Sequence, residues 1–292
     1  MSHLTDEISS QPECWAKAIE AAAAAGRALP APGERVAAIG CGSSLNVARC
    51  YAALREAAGH GETDAFPASE IPPARRYDRM VFISRTGTTT EVLDALARAW
   101  PGTRTTAVSA DPGSPLVRQA TAAVVLDFSD ERSVVSSRFI TSAIVLLRAH
   151  LGEDLRALPD EAARELARPL PSGLAERAEF TFLGRGWAAA VADEAALKLR
   201  EAARTWAESY PALEYRHGPI SVSDSSTVVW ALGEVPPSLL ADARRTGATV
   251  IAQAGDPLAG LIGAQQLAAE LAERKDIDPD QPRALSRSVI LA

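Results

Sequence analysis

The sequence predicts an α/β protein of two tandem lobes, each a doubly wound parallel sheet, with a helix at the N-terminus. Short apolar runs alternate with helix-length stretches over most of the chain, which is typical of parallel strands covered by helices on both faces. A unit of strand, glycine turn and helix occurs near residue 40 and again near residue 184. The 292 residues are more than one such domain usually needs, and they fit two.

The first part of the chain contains an alanine-rich helix and the elements of the first lobe. The helix is predicted over 7–29 and is followed by the break Pro30-Ala31-Pro32-Gly33. We assign residues 1–33 to an N-terminal helical segment and residues 34–155 to the first lobe. Its predicted strands are 36–39, 80–83, 104–109 and 122–126, and helices are expected up to about residues 58 and 100, at 116–120 and at 136–150.

The second part of the chain repeats the unit of strand, glycine turn and helix after a segment rich in charged residues, alanine and proline. We interpret this segment, 153–175, as a helical linker. The second lobe is assigned to residues 172–292. Its predicted strands are 180–183, 227–232 and 248–253, and a helix is expected over 189–209.

Composition argues against several classes of partner. The net charge of −7 disfavours nucleic acid and anionic membrane surfaces, because both need a basic face. Three cysteines without metal-ligand spacing argue against a disulfide framework. The start of the chain lacks a basic, then apolar, leader pattern, and the apolar runs are too short to cross a bilayer. We therefore expect a cytoplasmic protein.

Hydroxyl-rich turns follow two of the predicted strands. Ser43 and Ser44 follow the first strand, and residues 84–90 carry five hydroxyls and Arg85 after the next. Such turns lie at the carboxyl edge of a parallel sheet, and the free N–H groups of a helix start suit a phosphate. Simple helix capping explains the same residues equally well. A Rossmann nucleotide site is set aside, because Gly40-Cys41-Gly42 lacks the third glycine.

A charged stripe is predicted on the long helix of the second lobe. Glu194, Lys198 and Glu201 are spaced i, i+4 and i+7 and so share one face, and His217 follows before Gly218-Pro219. A carboxylate, an ammonium and an imidazole suit proton transfer between adjacent sugar carbons. The alternatives are a solvated ion pair and a histidine that only belongs to a turn.

Taken in order, these motifs closely resemble the double sugar isomerase (SIS) domain family, whose lobes are flavodoxin-like. Within that family the isomerase half of glucosamine-6-phosphate synthases is the nearest likeness. The resemblance runs from about residue 34 to the C-terminus. The motifs that carry it are Gly40–Ser44, Ser84–Thr89, Glu131–Ser137, Glu194-x3-Lys198-x2-Glu201, His217-Gly218-Pro219 and the tail Asp280–Val289.

The resemblance implies a role for each candidate residue. It implies that Glu201 moves a proton between C1 and C2, that Lys198 assists transfer between O1 and O2, and that His217 opens the ring. The histidine would come from a partner subunit, so a homodimer with a shared active site is expected, without metal or cofactor. The implied phosphate ligands are Ser44, Ser84, Arg85, Thr86 and Thr89, and the implied sugar contacts are Ser43, Ser136, Glu194 and Arg287.

Three departures narrow the functional prediction. We see no glutaminase segment with an N-terminal cysteine; Arg85 replaces a glutamine of the synthase motif; and Arg287 stands where the synthases carry a lysine that forms an imine. A guanidinium stays protonated and is a poor nucleophile. The resemblance implies a metal-independent aldose–ketose isomerase, alone or coupled to deamination, acting on a hexose or amino-sugar 6-phosphate. The alternatives are a deglycase of phosphorylated sugar–amine adducts and a non-catalytic phosphosugar-binding sensor.

Overall fold

A computed structural model describes residues 2–291 and shows helices alternating with strands along that range. The helices are α1 (His3–Ser9), α2 (Gln11–Ala25), α3 (Ser43–Ala57), α4 (Thr90–Ala97), α5 (Pro115–Gln119), α6 (Arg138–His150), α7 (Leu158–Leu166), α8 (Ala188–Ala203), α9 (Pro237–Arg245) and α10 (Pro257–Arg274). The strands are β1 (Val36–Gly40), β2 (Thr63–Pro67), β3 (Arg79–Ile83), β4 (Arg104–Ser109), β5 (Ala122–Val125), β6 (Glu179–Gly184), β7 (Trp206–Pro211), β8 (Thr227–Leu232) and β9 (Thr249–Gln253).

The chain divides into two compact units, each built around one parallel sheet. The first-sheet unit comprises residues 10–132, 136–159 and 286–291. The second-sheet unit comprises residues 2–9, 133–135 and 160–285. These units are not the predicted lobes of 34–155 and 172–292, whose limits stay predictions.

The first-sheet unit has five parallel strands in the order β2-β1-β3-β4-β5. Strands β1, β3 and β4 are buried along almost their whole length, so they form the apolar centre of the sheet. Helices α4 and α5 pack with Ile39 and Phe82 in one buried cluster. Helix α2 packs on α6, where the indole N–H of Trp15 donates to Thr141 Oγ1 at 2.8 Å.

The second-sheet unit has four parallel strands in the order β7-β6-β8-β9. Helices α8 and α10 pack against each other, and α1 packs on α10. Helix α9 closes another buried cluster through Leu239, which packs with Leu183 and Val229. The two parallel sheets, both with helical connections, confirm the predicted fold class.

Two predicted helices were wrong in extent. The single N-terminal helix over 7–29 is two helices, α1 and α2, separated at Ser10, and a 3-10 turn over Gly26–Ala28 ends the second. The helix expected over 189–209 ends at Ala203. There Arg204 adopts a left-handed conformation with φ +48°, which stops the helix and lets the chain leave as strand β7.

Four elements were not predicted from the sequence. Strands β2 and β7 each lie at an edge of their sheet, with one hydrogen-bonded neighbour and a partly exposed surface. Edge strands need no continuous apolar run, so the pattern that identified the central strands is missing. Helices α9 and α10 are the other two. Among the described helices, none combines the length and the apolar character needed to cross a lipid bilayer.

Candidate active site

The first hydroxyl-rich turn joins β1 to α3. A Cβ atom on Gly40 would lie 2.5 Å from the backbone of Ser44, so only glycine fits at the end of this strand. Gly42 has φ +55° and turns the chain directly into the helix. Ser43 and the buried Ser44 are the first two residues of α3. The tight turn thus places both hydroxyls at the helix N-terminus.

The second hydroxyl-rich turn joins β3 to α4. Ser84 is buried directly after the strand, and its Oγ accepts a hydrogen bond of 3.2 Å from the N–H of Gly87. Gly87 has φ +60° and leaves no room for a Cβ atom beside Ser114. The hydroxyl of Thr88 lies 2.9 Å from Thr86 Oγ1. The turn therefore folds on itself and presents a group of hydroxyls before α4.

The structure does not support helix capping as the explanation of these turns. The N-caps of α3 and α4 are Gly42 and Thr89, and neither makes a side-chain capping hydrogen bond. By contrast, Ser114 caps α5 by accepting from the N–H of Val117. At the start of α4, the N–H of Thr90 donates to the carbonyl oxygen of Val289 in the C-terminal tail. The hydroxyls at the two helix starts, which do not act as N-caps, suit an anion.

The order of the strands places both turns at one point of the sheet. Strands β1 and β3 are neighbours, but the chain leaves β1 towards β2 and leaves β3 towards β4 on the other side. In open parallel sheets, ligands bind outside the carboxyl ends of the strands at such a switch point. The two hydroxyl-rich turns lie at that position.

Arg85 is the buried cation of the second turn, and it already has a counter-charge. Its Nη1 lies 2.9 Å from Glu131 Oε2, with the two side chains 7% and 0% exposed. Its Nη2 donates to the carbonyl oxygen of Arg287 at 3.4 Å. The predicted role of Arg85 as a direct phosphate ligand stays a prediction; the contacts that it makes here tie the turn to neighbouring segments.

Two of the three sugar-contact candidates of this unit, Ser136 and Arg287, lie close to the same turn. The hydroxyl of Ser136 donates to Glu131 at 2.7 Å. Arg287 forms an ion pair of 2.5 Å with Asp130 and is 39% exposed. The C-terminal tail that carries Arg287 lies along the turn, where Ser288 Oγ is 2.9 Å from Thr88 Oγ1. The structure thus brings Ser43, Ser44, Ser84, Arg85, Thr86, Thr89, Ser136 and Arg287 to the carboxyl edge of the first sheet.

Sequence reasoning assigned no role to Glu131, Thr88 or Ser288. Thr88 and Ser288 are indistinguishable in sequence from the hydroxyls beside them. Glu131 carried a usable signal, because it is an acidic residue inside a recognised motif and Arg85 is an unusual cation inside another. A buried arginine requires a buried acid, so the two could have been paired.

The charged stripe of the second-sheet unit forms an ion-paired triad on α8. Lys198 Nζ lies 3.1 Å from Glu194 Oε1 and 2.6 Å from Glu201 Oε2. The side chains of Lys198 and Glu194 are each 1% exposed, and that of Glu201 is 20% exposed. The alternative of a solvated surface pair is therefore not supported, because ion pairs are seldom buried to this extent without a reason.

The two carboxylates keep Lys198 charged. Burial alone would lower the pKa of its ammonium, but the charges of Glu194 and Glu201 outweigh it and raise the pKa above the ordinary value. Lys198 is therefore a charged hydrogen-bond donor held in place from both sides. Glu201 is the most accessible member of the triad. An accessible carboxylate beside a fixed ammonium suits proton transfer at a carbon whose neighbouring oxygen becomes negative.

His217 lies outside helix α8, which carries the triad. It is exposed at the end of the 3-10 helix Ala212–His217, directly before Gly218, whose φ is +138°. Within residues 2–291, no hydrogen bond or ion pair joins His217 to Glu194, Lys198 or Glu201. Its assignment to ring opening stays a prediction.

Comparison with known proteins identifies sequence relatives among the glutamine–fructose-6-phosphate aminotransferases. No family model matches the chain. The glutamine–fructose-6-phosphate aminotransferase (isomerizing) of Thermus thermophilus is 30% identical over 313 aligned positions, which cover 88% of this chain and 52% of the aminotransferase. The chain thus spans about half the length of the aminotransferases that it matches.

Solved structures match over nearly the whole chain. Glucosamine-6-phosphate deaminase of Thermotoga maritima superposes with a TM-score of 0.84 and 26% identity, covering 99% of this chain and 100% of the deaminase. The C-terminal domain of glucosamine-fructose-6-phosphate aminotransferase from Francisella tularensis has the same fold, with a TM-score of 0.82, 22% identity, and coverage of 97% and 98%. These likenesses agree with the motifs and the two parallel sheets described above, and they confirm the predicted resemblance to the double sugar isomerase (SIS) domain family.

Proposed function

We propose that this chain is a phosphosugar isomerase that interconverts the aldose and ketose forms of a hexose or amino-sugar 6-phosphate. The observation that carries the proposal is the triad on α8, in which a buried ammonium is held between two carboxylates, one of them accessible. A non-catalytic binding module would have no need for a buried charge in this arrangement. The sensor alternative is therefore not favoured.

The phosphate group is assigned to the hydroxyl-rich turns. Ser44, Ser84, Thr86 and Thr89 supply hydroxyls, and the starts of α3 and α4, which have no side-chain cap, supply a partial positive charge. The charge of Arg85 adds to the local field, although its guanidinium is paired with Glu131. Donors arranged in this way favour a dianion over a neutral sugar.

The proton transfers are assigned to the triad. For an aldose, Glu201 takes the proton from C2 while O1 gains a proton, which gives the enediol. O2 then loses its proton as Glu201 returns the carbon-bound proton to C1. Lys198 donates hydrogen bonds to these oxygens and stabilises the negative charge that develops on them. Glu194 shares the charge of Lys198 and keeps the ammonium in place.

Deamination is the second candidate, and one observation favours it. The Thermotoga deaminase matches the full length of this chain at 26% identity. In that reaction, an amino-sugar phosphate isomerises to a ketose imine, and water replaces the nitrogen to release ammonia and a ketose phosphate. No step needs a nucleophilic lysine, so Arg287 is compatible with it.

The proposal includes a homodimer that shares its active site. Within residues 2–291, His217 is exposed and makes no hydrogen bond or ion pair with the triad of its own chain, as expected of a residue that serves a partner. The cytoplasmic location stays a prediction from the sequence.

The decisive experiment measures chemistry at the sugar carbons. The protein is incubated in deuterated water with hexose and hexosamine 6-phosphates, and exchange at C1 or C2 is followed by NMR while ammonia is assayed in the same samples. Exchange that requires the phosphate supports isomerisation, and ammonia from the amino sugars supports the deaminase. Tight binding without exchange for any member of the panel would leave only a sensor.

A further inference from the structure

The Glu131 carboxylate is a fully buried group with an unusually large number of partners. Its Oε1 accepts from the backbone N–H of Ser137 at 2.5 Å, from that of Phe139 at 3.3 Å and from the hydroxyl of Ser137 at 3.1 Å. Its Oε2 lies 2.9 Å from Arg85 Nη1 and accepts from the Ser136 hydroxyl at 2.7 Å. All of these partners lie in the first-sheet unit.

The two oxygens of Glu131 serve different parts of the unit. Oε1 satisfies N–H groups at the start of α6, which no side chain of the N-cap residue Ser137 satisfies. Oε2 joins Arg85, from the turn after β3, to Ser136, from the segment before α6. A single carboxylate therefore caps the start of α6 and also holds two candidate substrate residues, Arg85 and Ser136.

The charge state of Glu131 decides which way the Ser136 hydroxyl points. Burial alone would raise the pKa of Glu131, but the Arg85 charge and the hydrogen bonds from Ser136 and Ser137 outweigh it and keep the pKa below its usual range. An ionised carboxylate only accepts hydrogen bonds, so the hydroxyl of Ser136 must donate to it. Towards any third group Ser136 can then only accept.

We infer that Glu131 is a positioning residue of the substrate site, which orients Ser136 as an acceptor for a hydroxyl or ammonium group of the sugar. The inference rests on the proposed function, in that it takes the sugar to lie beside Ser136 when its phosphate occupies the hydroxyl-rich turns. In the same arrangement Glu131 neutralises Arg85, so the turn binds phosphate through its hydroxyls and N–H groups without an unpaired buried cation.

A helix cap without a role in recognition would behave differently. Its loss would weaken the fold and disturb every ligand of this edge to a similar extent. If Glu131 is a positioning residue, its loss should split the two affinities. Binding of the sugar should weaken because the sugar loses a hydrogen-bond acceptor, whereas binding of the phosphate group should not. Neutralising Glu131 also leaves the Arg85 charge uncompensated near the turns, which favours anions.

The test compares glucosamine 6-phosphate with inorganic phosphate by calorimetry on folded Glu131→Gln protein. We expect the affinity for glucosamine 6-phosphate to fall about tenfold, as for the loss of one good hydrogen bond, while that for inorganic phosphate stays equal or rises. Ser137→Ala is the matched control, since it removes one hydrogen bond to Glu131 but leaves Arg85 and Ser136 in place, and it should change neither affinity. Parallel losses for both ligands, or no change for either, would overturn the inference.

A second variant covers the case in which Glu131→Gln does not fold. Ser136→Ala keeps Glu131 and removes the acceptor, so it must show the same split, and a uniform loss would contradict the inference. Failure of the proposed function gives a different result. If the variants show the split but the wild-type protein shows no turnover, the isomerase proposal is refuted and the positioning role of Glu131 stands. If the wild-type protein binds neither ligand, both are refuted.

Discussion

The turn after β1 and the turn after β6 are built on the same backbone device but carry different chemistry. Each strand ends in a glycine, Gly40 or Gly184, on which a Cβ atom would overlap the backbone four residues later. Each glycine is followed two residues on by another with nearly the same φ, +55° at Gly42 and +56° at Gly186. The internal repeat seen in the sequence is therefore a repeat of structure.

The residues after the second glycine separate the two turns. Ser43 and Ser44 follow Gly42 and place hydroxyls at the start of α3, whereas Trp187 and Ala188 follow Gly186 and place none there. In the second-sheet unit the chemistry lies farther along the helix, in the charged stripe on α8. The comparison teaches that the glycines belong to the scaffold and the side chains that follow them to the function.

The largest expected effect is on the charged stripe. Glu201→Gln keeps the size of the side chain and removes the base, so we expect turnover to fall by about 10²–10⁴ while ligand affinity survives. Steady-state kinetics and calorimetry on the same protein measure both quantities. Glu214→Gln, at an exposed position, is the control and should have wild-type kinetics. Unchanged turnover in Glu201→Gln would contradict the assignment of proton transfer to the charged stripe on α8.

The second prediction concerns the shared site of a dimer. His217→Ala and Glu201→Gln should each be nearly inactive alone, because each removes one group from every site. Mixing the two proteins with subunit exchange should restore part of the activity, since some mixed dimers combine both intact groups in one site. Enzyme assays after mixing, with light scattering for the mass, measure the effect. A fully active monomer would contradict the prediction.

The third prediction concerns the hydroxyl-rich turns. In wild type, a phosphorylated sugar at about 100 times its dissociation constant should stabilise the fold by about 2.7 kcal/mol, and the unphosphorylated sugar should not. Ser84→Ala combined with Thr86→Ala should abolish this stabilisation. Thermal unfolding with and without ligand measures it, and Ser209→Ala in strand β7 is the control. Equal stabilisation by the phosphorylated and unphosphorylated sugars would speak against a phosphate site.

The sequence predicted the centre of each sheet better than its edges. The strands predicted at 104–109 and 227–232 coincide with β4 and β8, because both are rich in β-branched residues and β8 is an almost continuous apolar run. Most of strand β7 was predicted as helix, because its sequence has no such run and the φ of Arg204 ends the helix before it.

For the candidate site, the sequence predicted which residues come together more readily than how they are paired. Spacing alone placed Glu194, Lys198 and Glu201 on one helix face, and the structure shows them in one ion-paired group. No spacing links Arg85 to Glu131, because they are 46 residues apart and meet only when the sheet forms. Local periodicity reports on one element, while pairing between elements depends on the order of the strands.

The fourth prediction tests whether the glycine device is common to both turns. Gly40→Ala and Gly184→Ala should each destabilise by about 1–3 kcal/mol or more, because the new methyl group meets backbone that cannot move aside. Gly42→Ala and Gly186→Ala should cost less, since open space surrounds both positions and only the positive φ is strained. Urea unfolding of the four variants measures the costs. If Gly184→Ala is tolerated while Gly40→Ala loses its fold, the two turns do not share the same requirement for glycine at the end of the strand.

The smallest expected effect is a pH dependence that differs between the two buried ion pairs. The folded-state pKa of Glu131 is lowered, so its stabilisation is present above the ordinary carboxyl pKa and is lost as the pH falls through the folded value. The folded-state pKa of Lys198 is raised, so its stabilisation is present below the ordinary lysine pKa of about 10.4 and is lost as the pH rises through the folded value. The difference in unfolding free energy between wild type and Glu131→Gln should therefore narrow in acid, below about pH 4, and that between wild type and Lys198→Met should narrow in alkali, above about pH 10. Urea titrations across the pH range measure both differences, and the Lys198→Met difference should be flat between about pH 7 and 9. A Lys198→Met difference that already declines between about pH 7 and 9 would mean that the carboxylates of α8 do not hold the ammonium in its charged form.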